Sequence, residues 1–231
     1  MPESGVFGFI YRVTDVIYKL AWSNILWFFT SGFPLVLFIF GDWIIPLALF
    51  LLIGPPGTVA LFHVMSVWQK DGDLSVWNTY WSGWKKNWKR AYKVVDVYVI
   101  IGVILVVDLV VVANAPQSVL KWIGFLLFPT ATLYILTSVT LLPLLVRYPW
   151  KLFELVKNAF VLSVSHLFSS TAVLLSLGVV IVTAVSFMPP LAFFFSASVT
   201  AWAFTWQTGR ILDKIDRLQK ERSESLESNA M

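Results

Sequence analysis

Three ionisable side chains lie in or beside long apolar stretches of the sequence, where a titratable group could do chemistry. Asp108 interrupts the run VILVVDLVVV, and His63 and His166 are the only two histidines. A carboxylate inside a bilayer costs roughly 2.5 to 3.5 kcal/mol on insertion scales, so Asp108 has to face protein or water. These residues form the candidate intramembrane polar site. Asp108 either relays protons or cations, contacts a substrate, or bonds to a neighbouring helix near the outer interface.

The residues that most other kinds of catalysis require are missing from the sequence. It contains no cysteine, which excludes disulfides, thiolate nucleophiles and cysteine-ligated metals. Two histidines without neighbouring carboxylates make a poor metal site, and neither His-Glu-x-x-His nor Gly-x-Ser-x-Gly occurs. We therefore expect no catalytic residue, no metal, no cofactor and no enzymatic activity. The alternative role for the two histidines is structural hydrogen bonding.

The elements that would position these residues are membrane-spanning helices. Of the 231 residues, 58% are hydrophobic and 13% are charged, and the mean hydropathy of +0.78 lies outside the usual range of soluble domains. A helix needs about 20 apolar residues to cross a bilayer. The apolar runs therefore predict an all-α polytopic membrane protein, one membrane domain over 1–231 with about six spans. The predicted spans are 24–40, 43–68, 94–113, 122–146, 163–187 and 190–207.

The distribution of basic residues predicts the orientation of these spans. With the N-terminus in the cytoplasm, all of the 17 lysines and arginines except Lys121 lie on the cytoplasmic side. Cytoplasmic loops carry an excess of these residues, so both termini are expected in the cytoplasm. The net charge of +4 then reflects membrane topology and attraction to anionic lipid. The lipid bilayer is the expected partner, and nucleic acid is not.

The segment WNTYWSGWKKNWKR, residues 77–90, places indoles and cations at helical spacing. Residues three and four apart share one face of a helix, so the tryptophans form a stripe with the cations behind it. We expect a helix over 77–92 to lie in the headgroup layer, with indoles toward the acyl chains and lysines toward phosphates. The alternatives are docking of a partner and stacking on a cytoplasmic sugar. The residues of this surface are Trp77, Trp81, Trp84, Trp88, Lys85, Lys86, Lys89 and Arg90.

Other segments are predicted to lie outside the spans. Residues 6–20 and 147–160 have the apolar spacing of amphipathic helices at a membrane surface. Residues 209–222 are expected to extend the last span into the cytoplasm as a helix whose short apolar face packs on the chain itself or on a partner. Residues 223–231 are rich in serine and glutamate and are expected to form a disordered tail.

Consecutive prolines interrupt the second predicted span within the motif GPPG. A proline removes a backbone donor and clashes with the preceding turn, so the helix is predicted to break or kink there. The order of a proline-interrupted span, an amphipathic helix and a further span recurs after FPTATL, residues 128–133, which suggests two parallel copies of one unit. The residues of the predicted break are Gly54, Pro55, Pro56 and Gly57.

A set of short motifs follows a fixed order along the chain. The set consists of NILW at 24–27, Pro34, the Gly54-Pro55 step, KDGD at 70–73, WSGWKKNWKRA at 81–91 and KNAF at 157–160. In order and spacing these motifs resemble the YesL-like family of small bacterial integral membrane proteins, domain of unknown function 624. The signature residues that carry the resemblance are Asn24, Trp27, Pro34 and Asn158.

The resemblance implies a location in the bacterial plasma (inner) membrane and an association with carbohydrate-uptake systems, especially sugar ABC transporters. It implies no reaction. The leading hypothesis is therefore a non-enzymatic accessory subunit that contacts ABC transporter permease or ATPase subunits. One alternative is an autonomous small-solute transporter that uses Asp108 and the helix break at Gly54–Gly57. Another is a membrane sensor that signals to a partner through the C-terminal helix.

Overall fold

The computed structural model describes residues 6–37, 41, 43–114 and 118–230. Two short π-helical turns, Phe28–Gly32 and Tyr92–Asp96, each join two consecutive α-helices. The predicted all-α fold is confirmed for the described part of the chain. The helices are α1 (Val6–Trp27), α2 (Phe33–Val36), α3 (Ile44–Asp71), α4 (Val76–Ala91), α5 (Val97–Ala113), α6 (Ser118–Arg147), α7 (Leu152–Ser165), α8 (Leu167–Phe187) and α9 (Pro189–Ala230).

Within the described residues, four helical stretches are long and apolar enough to cross a membrane, as expected of a membrane protein. They correspond to the second to fifth predicted spans. The first and sixth predicted spans are not among them. Residues 24–40 are divided among α1, a π-helical turn and α2, and residues 38–40 lie outside the described part. Residues 190–207 contain serine, threonine, tryptophan and glutamine, which lower their hydropathy. The four stretches are Ile44–Asp71, Val76–Ala113, Gly124–Arg147 and Leu167–Phe187.

Buried side chains form two apolar clusters that tie the helices together. The first joins α1, α3, α4 and α9 and includes Met65, Tyr80 and Ala201. The second joins α6 and α7 to the second π-helical turn and includes Leu145 and Leu155. Helix α5 contributes no buried residue to either cluster, although its Tyr98 and Val99 pack against the second. The packed part of the molecule therefore lies around α3, α4, α6 and α9.

The α3–α4 pair is closely packed because small residues lie at its turn and its contact. Gly72 ends α3 with a positive φ of 77°, and its N–H donates to the carbonyl of Trp68 at 2.9 Å, as glycine commonly does after a helix. Gly83 allows α4 to approach α3, since a Cβ at this position would lie 2.6 Å from Cδ2 of His63. A larger residue would therefore push the two helices apart.

The order of elements recurs along the chain, as the sequence suggested. Helix α3 ends at Asp71, α4 follows after residues 72–75, and α4 continues into α5 without a loop. Helix α6 ends at Arg147, α7 follows after residues 148–151, and only His166 separates α7 from α8. In both units the middle helix packs on the preceding long helix.

Several predicted helix ends differ from those in the structure. Helix α1 runs from the predicted interfacial segment 6–20 into the first predicted span without a break. Helix α7 begins later than the predicted 147–160, because Pro149 disfavours helix at the residue before it and α6 ends at Arg147.

The C-terminal helix boundary also differs from the predicted one. We expected the helix to end near residue 222 and a disordered tail at 223–231, whereas α9 continues to Ala230. Extending an existing helix costs much less than nucleating a new one, so a polar segment that follows a long helix can remain helical. Residue 231 lies outside the described residues.

Candidate functional site

The buried face of α4 is not the face that carries its tryptophans. At about 100° per residue, the buried positions lie roughly 90° around the helix from the tryptophan stripe. Trp81 and Trp84 pack at the edge of the first apolar cluster, whereas Trp77 and Trp88 are 49% and 44% exposed. The stripe therefore flanks the contact with α3, and only its two ends are open to the surroundings. The buried residues of α4 are Val76, Tyr80, Gly83, Asn87 and Ala91.

The four cations of this segment divide into two groups. Lys85, Lys86 and Lys89 are exposed, as an interfacial surface requires. Arg90 instead turns toward the end of α6, where Nη1 donates to the carbonyl of Leu145 at 3.2 Å. Its Nη2 donates to the carbonyls of residues 148 and 150 at 2.8 and 3.1 Å. Because the last carbonyls of a helix lack partners within it, Arg90 caps α6, and we correct its assignment to the lipid-facing surface.

The three residues of the predicted polar site lie in three different environments. His63 on α3 packs against Gly83, and its buried Nδ1 has no hydrogen-bond partner among the described residues. His166, between α7 and α8, lines a cavity with Arg210. Asp108 is exposed on α5. The structure therefore does not assemble them into one site. Within the described chain, no group of three or more His, Cys, Asp or Glu side chains could hold a metal ion.

Helix α3 is continuous through the GPPG motif, so the predicted break at Gly54–Gly57 is not found. Pro56 has no N–H to donate to the carbonyl of Leu52, four residues earlier. The hydroxyl of Tyr92, in the second π-helical turn, donates to that carbonyl at 2.8 Å. A neighbouring segment thus supplies the hydrogen bond that the proline removes, which is how helices in membranes tolerate prolines.

Hydroxyl groups enclose the same motif from two other elements. Ser31 Oγ donates to the carbonyl of Gly54 at 2.7 Å, and the hydroxyl of Tyr80 donates to the carbonyl of Gly57 at 3.1 Å. Thr30 Oγ1 lies 2.5 Å from the Tyr80 hydroxyl. A Cβ on Gly57 would lie 2.0 Å from Ser31 Oγ, so only glycine fits. These contacts lock the first π-helical turn and α4 onto α3.

Asn24, the first signature residue, joins α1 to α9. Its Nδ2 donates to the carbonyl of Phe193 at 2.8 Å, and its Oδ1 accepts from the N–H groups of Ala197 and Ser198 at 3.1 and 3.2 Å. The carbonyl of Phe193 and the N–H of Ala197 stand four residues apart, as partners in a regular helix do. The buried amide of Asn24 therefore inserts into the hydrogen-bond ladder of α9.

The other signature residues also have structural environments. Trp27 Nε1 donates to Thr58 Oγ1 at 3.2 Å, and its ring covers Gly32, where a Cβ would lie 2.7 Å from the ring. Pro34 is buried in the first turn of α2, where a missing N–H is tolerated. Asn158 is half-buried on α7. The signature residues of the first half of the chain thus hold its helices together.

Lys19 has a role that the sequence did not indicate beyond its charge. It is only 4% exposed. Its Nζ donates to Asp15 Oδ2 at 2.6 Å and to the carbonyl of Gly72 at 3.0 Å, and lies 5.7 Å from the ring centre of Trp68. The four-residue spacing of Asp15 and Lys19 was the available signal, but the contact with the α3–α4 connection depends on the fold.

A pair of tyrosines, also missed from the sequence, fastens α5 to α6. The hydroxyl of Tyr98 donates to the carbonyl of Tyr134, and the hydroxyl of Tyr134 donates to the carbonyl of Tyr98 at 2.6 Å. The two rings stack with their centres 4.3 Å apart. Because the partners lie on different helices, no local spacing predicts the pair. It fixes the N-terminal half of α5 and leaves the end that carries Asp108 exposed.

Comparison with known proteins finds one matching family model and a similar bacterial protein. Residues 20–109 match the family described as "Protein of unknown function, DUF624". The chain is also 27% identical over 218 residues to the uncharacterized protein YteU of Bacillus subtilis (strain 168), a match that covers 94% of this chain and 91% of that protein. No solved structure matches the chain.

Proposed function

Since residues 20–109 match the DUF624 family that the ordered motifs predicted, we propose a function on that premise. The protein is a non-enzymatic accessory subunit of a carbohydrate-uptake system in the bacterial plasma membrane. Its partners in this proposal are permease or ATPase subunits of a sugar ABC transporter. The chain crosses the membrane six times, with both termini in the cytoplasm. The family association and the bias of the basic residues toward one side support these features.

The observation that carries the proposal is the exposed side of α5. Ile101, Ile104, Asp108 and Val111 follow one another at helical spacing, and all four are exposed. We call these four residues the Asp108 face. A carboxylate that faced acyl chains would cost roughly 2.5 to 3.5 kcal/mol. A partner helix that donates a hydrogen bond to Asp108 removes that cost and covers the neighbouring apolar side chains.

The transporter alternative has less support from the same contacts. It requires Asp108 and the Gly54–Gly57 motif to line one path. Asp108 is exposed on α5, whereas the motif is enclosed by the hydroxyl groups of Thr30, Ser31 and Tyr80. Asp108 and the Gly54–Gly57 motif therefore face different environments.

Photo-crosslinking in the native host tests the proposal. We would replace Ile104 with benzoylphenylalanine, irradiate intact cells and identify the crosslinked proteins by mass spectrometry. The expected product is a permease subunit of a sugar ABC transporter. Adding Asp108→Asn should lower the yield about tenfold, as loss of roughly 1.4 kcal/mol of contact energy does. Asp216→Asn, which changes an exposed carboxylate on the charged part of α9, is the matched control and should leave the yield unchanged.

Two further measurements decide between the hypotheses. Deletion of the gene for this protein should reduce uptake of an oligosaccharide by the cells. Expression of the Asp108→Asn variant in the deletion strain should restore that uptake only in part. If Ile104 crosslinks only to lipid, and the purified protein alone moves a solute across vesicles in a manner that requires Asp108, the accessory hypothesis is wrong and the transporter hypothesis is correct.

A further inference from the structure

Cations from three helices line a cavity on the side of the molecule where α3 and α6 end. Lys70 comes from the last turn of α3, Arg147 from the last turn of α6, and Arg210 from the middle of α9. The cavity has a volume of about 370 Å³, and Asp213 is the one carboxylate among the lining side chains. Three positive charges and one negative charge leave this cavity with a net positive charge.

These cations are not needed to cap the helix ends beside them. Arg90 already donates to the last carbonyls of α6, and the N–H of Gly72 closes α3 while Lys19 binds the carbonyl of Gly72. Among the described residues, Lys70, Arg147 and Arg210 have no ion pair or hydrogen bond. Their charges are therefore available to a ligand.

An apolar groove adjoins the basic cavity. It lies between α8 and α9, has a volume of about 390 Å³, and includes Val173, Leu177 and Val180 among its lining residues. Trp206 and Arg210 line both the groove and the basic cavity. The guanidinium of Arg210 lies 4.7 Å from the ring centre of Trp206. The positive charge of Arg210 therefore lies where the groove adjoins the basic cavity.

A second basic cavity of about 440 Å³ extends the charged region along α9. It shares Arg210 and Asp213 with the first cavity and adds Lys214 and Arg217. The sequence of α9 changes here from the apolar run 190–207 to a charged segment that begins at Arg210. Trp202 and Trp206, just before this change, are 38% and 40% exposed. Tryptophan beside basic residues is typical of the headgroup level of a membrane.

We propose that the first basic cavity and the adjoining apolar groove together bind one anionic phospholipid. Its phosphate lies between Arg147 and Arg210, with Lys70 nearby, and one acyl chain lies in the groove between α8 and α9. Arginine binds phosphate oxygens through paired N–H donors, and basic pockets between membrane helices are known to hold anionic headgroups. A soluble anion would use the cations but not the groove, and a zwitterionic lipid would use the groove but not the net charge.

Native mass spectrometry of the delipidated full-length protein tests the site, with phosphatidylglycerol and phosphatidylcholine as the two probes. The wild-type protein should retain phosphatidylglycerol in preference to phosphatidylcholine. The double variant Arg147→Gln/Arg210→Gln should bind phosphatidylglycerol about thirtyfold more weakly, given the contribution of each of the two basic groups near a membrane surface. The control Lys93→Gln/Lys151→Gln removes as many exposed cations outside the two cavities and should bind like wild type.

Two further arms separate the lipid from a free anion. Ser176→Phe fills the exposed side of the groove without touching a cation and should weaken binding of phosphatidylglycerol while thermal stability is unchanged. Millimolar inorganic phosphate or glycerol phosphate should not displace the lipid. Equal binding by both double variants, or displacement by the soluble phosphates with no effect of Ser176→Phe, would show that the site for an anionic lipid does not exist.

Discussion

Asn24 and Arg90 both use a polar side chain to satisfy the backbone of another helix. Arg90 accounts for carbonyls at the end of α6, and Asn24 bridges a carbonyl and two N–H groups inside α9. In an apolar environment an unpaired backbone group costs several kcal/mol. Such residues therefore fix the positions of helices relative to one another, which explains why a signature asparagine need not be a catalytic residue.

Replacing Asn24 tests this role. We expect Asn24→Ala to destabilise the protein by about 1 to 3 kcal/mol, because it leaves buried backbone groups of α9 without the partner they have in the structure. Thermal unfolding of the purified protein in one detergent gives the comparison. Asn158→Ala, at a half-buried asparagine of α7, is the control and should change stability by less than about 0.5 kcal/mol.

Equal losses of stability in the two asparagine variants would contradict the bridging role of Asn24. A loss in Asn24→Ala that Asn24→Asp recovers in part would support it, because aspartate keeps the acceptor for Ala197 and Ser198 but not the donor for Phe193.

Helix α3 shows how one element depends on another. Its two consecutive prolines would leave carbonyls unpaired in an isolated helix. In the folded protein the second π-helical turn brings Tyr92 against α3, and its hydroxyl binds the carbonyl of Leu52. The continuity of α3 is therefore a property of α3 and its neighbours together.

A double-mutant cycle between Tyr92 and Pro56 tests this dependence. Tyr92→Phe alone should cost roughly 0.5 to 1.5 kcal/mol of unfolding free energy, the usual value of one hydrogen bond. In a Pro56→Ala background, the N–H of residue 56 can donate to the carbonyl of Leu52, so the same tyrosine change should cost less. Thermal unfolding of the four proteins measures the coupling. Tyr11→Phe, at an exposed position of α1, should give no coupling with Pro56→Ala.

Strictly additive effects at Tyr92 and Pro56 would mean that the hydroxyl does not replace the lost backbone donor. Coupled residues that share a partner should depart from additivity by about 0.5 kcal/mol or more.

For the whole molecule, the proposed six spans depend on α9. Its apolar part, 190–207, is less hydrophobic than the four stretches that could cross a membrane by length and hydropathy. However, α9 packs against α1, α3, α6 and α8, and polar residues at such contacts are tolerated inside a bilayer when their hydrogen bonds are satisfied by other protein groups. Hydropathy alone therefore does not decide whether α9 spans.

Cysteine labelling decides the sixth span, since the chain has no native cysteine. We would introduce single cysteines at Met188, between α8 and α9, and at Asp216, beyond the apolar part of α9. If α9 crosses the membrane, an impermeant maleimide added to intact cells should label Met188→Cys and leave Asp216→Cys unlabelled until the cells are permeabilised. Asp73→Cys, in the predicted cytoplasmic connection after α3, is the internal control and should behave like Asp216→Cys.

Labelling of both Met188→Cys and Asp216→Cys from the same side would remove the sixth span. The proposed cytoplasmic location of both termini would then have to be abandoned as well, unless the first span also fails to cross.

The sequence by itself determined the membrane class, the helical fold, and most of the apolar stretches that could cross a bilayer. These properties depend on the composition and periodicity of contiguous residues, and the solvent imposes them on each segment separately. The same holds for the ordered motifs, which predicted the family that residues 20–109 match. The local spacing also identified α4 as an amphipathic helix with an indole stripe.

Only the tertiary structure decided how those helices pack and form hydrogen bonds with one another. Local spacing could not show that Arg90 turns away from the lysines toward α6. Nor could it show that the Tyr92 hydroxyl binds the carbonyl left unpaired in α3, or that Asn24 bonds to backbone groups of α9. Each contact joins residues more than 35 positions apart, so it depends on how the helices pack. The basic cavity has the same origin, because Lys70, Arg147 and Arg210 come together only where three helices meet.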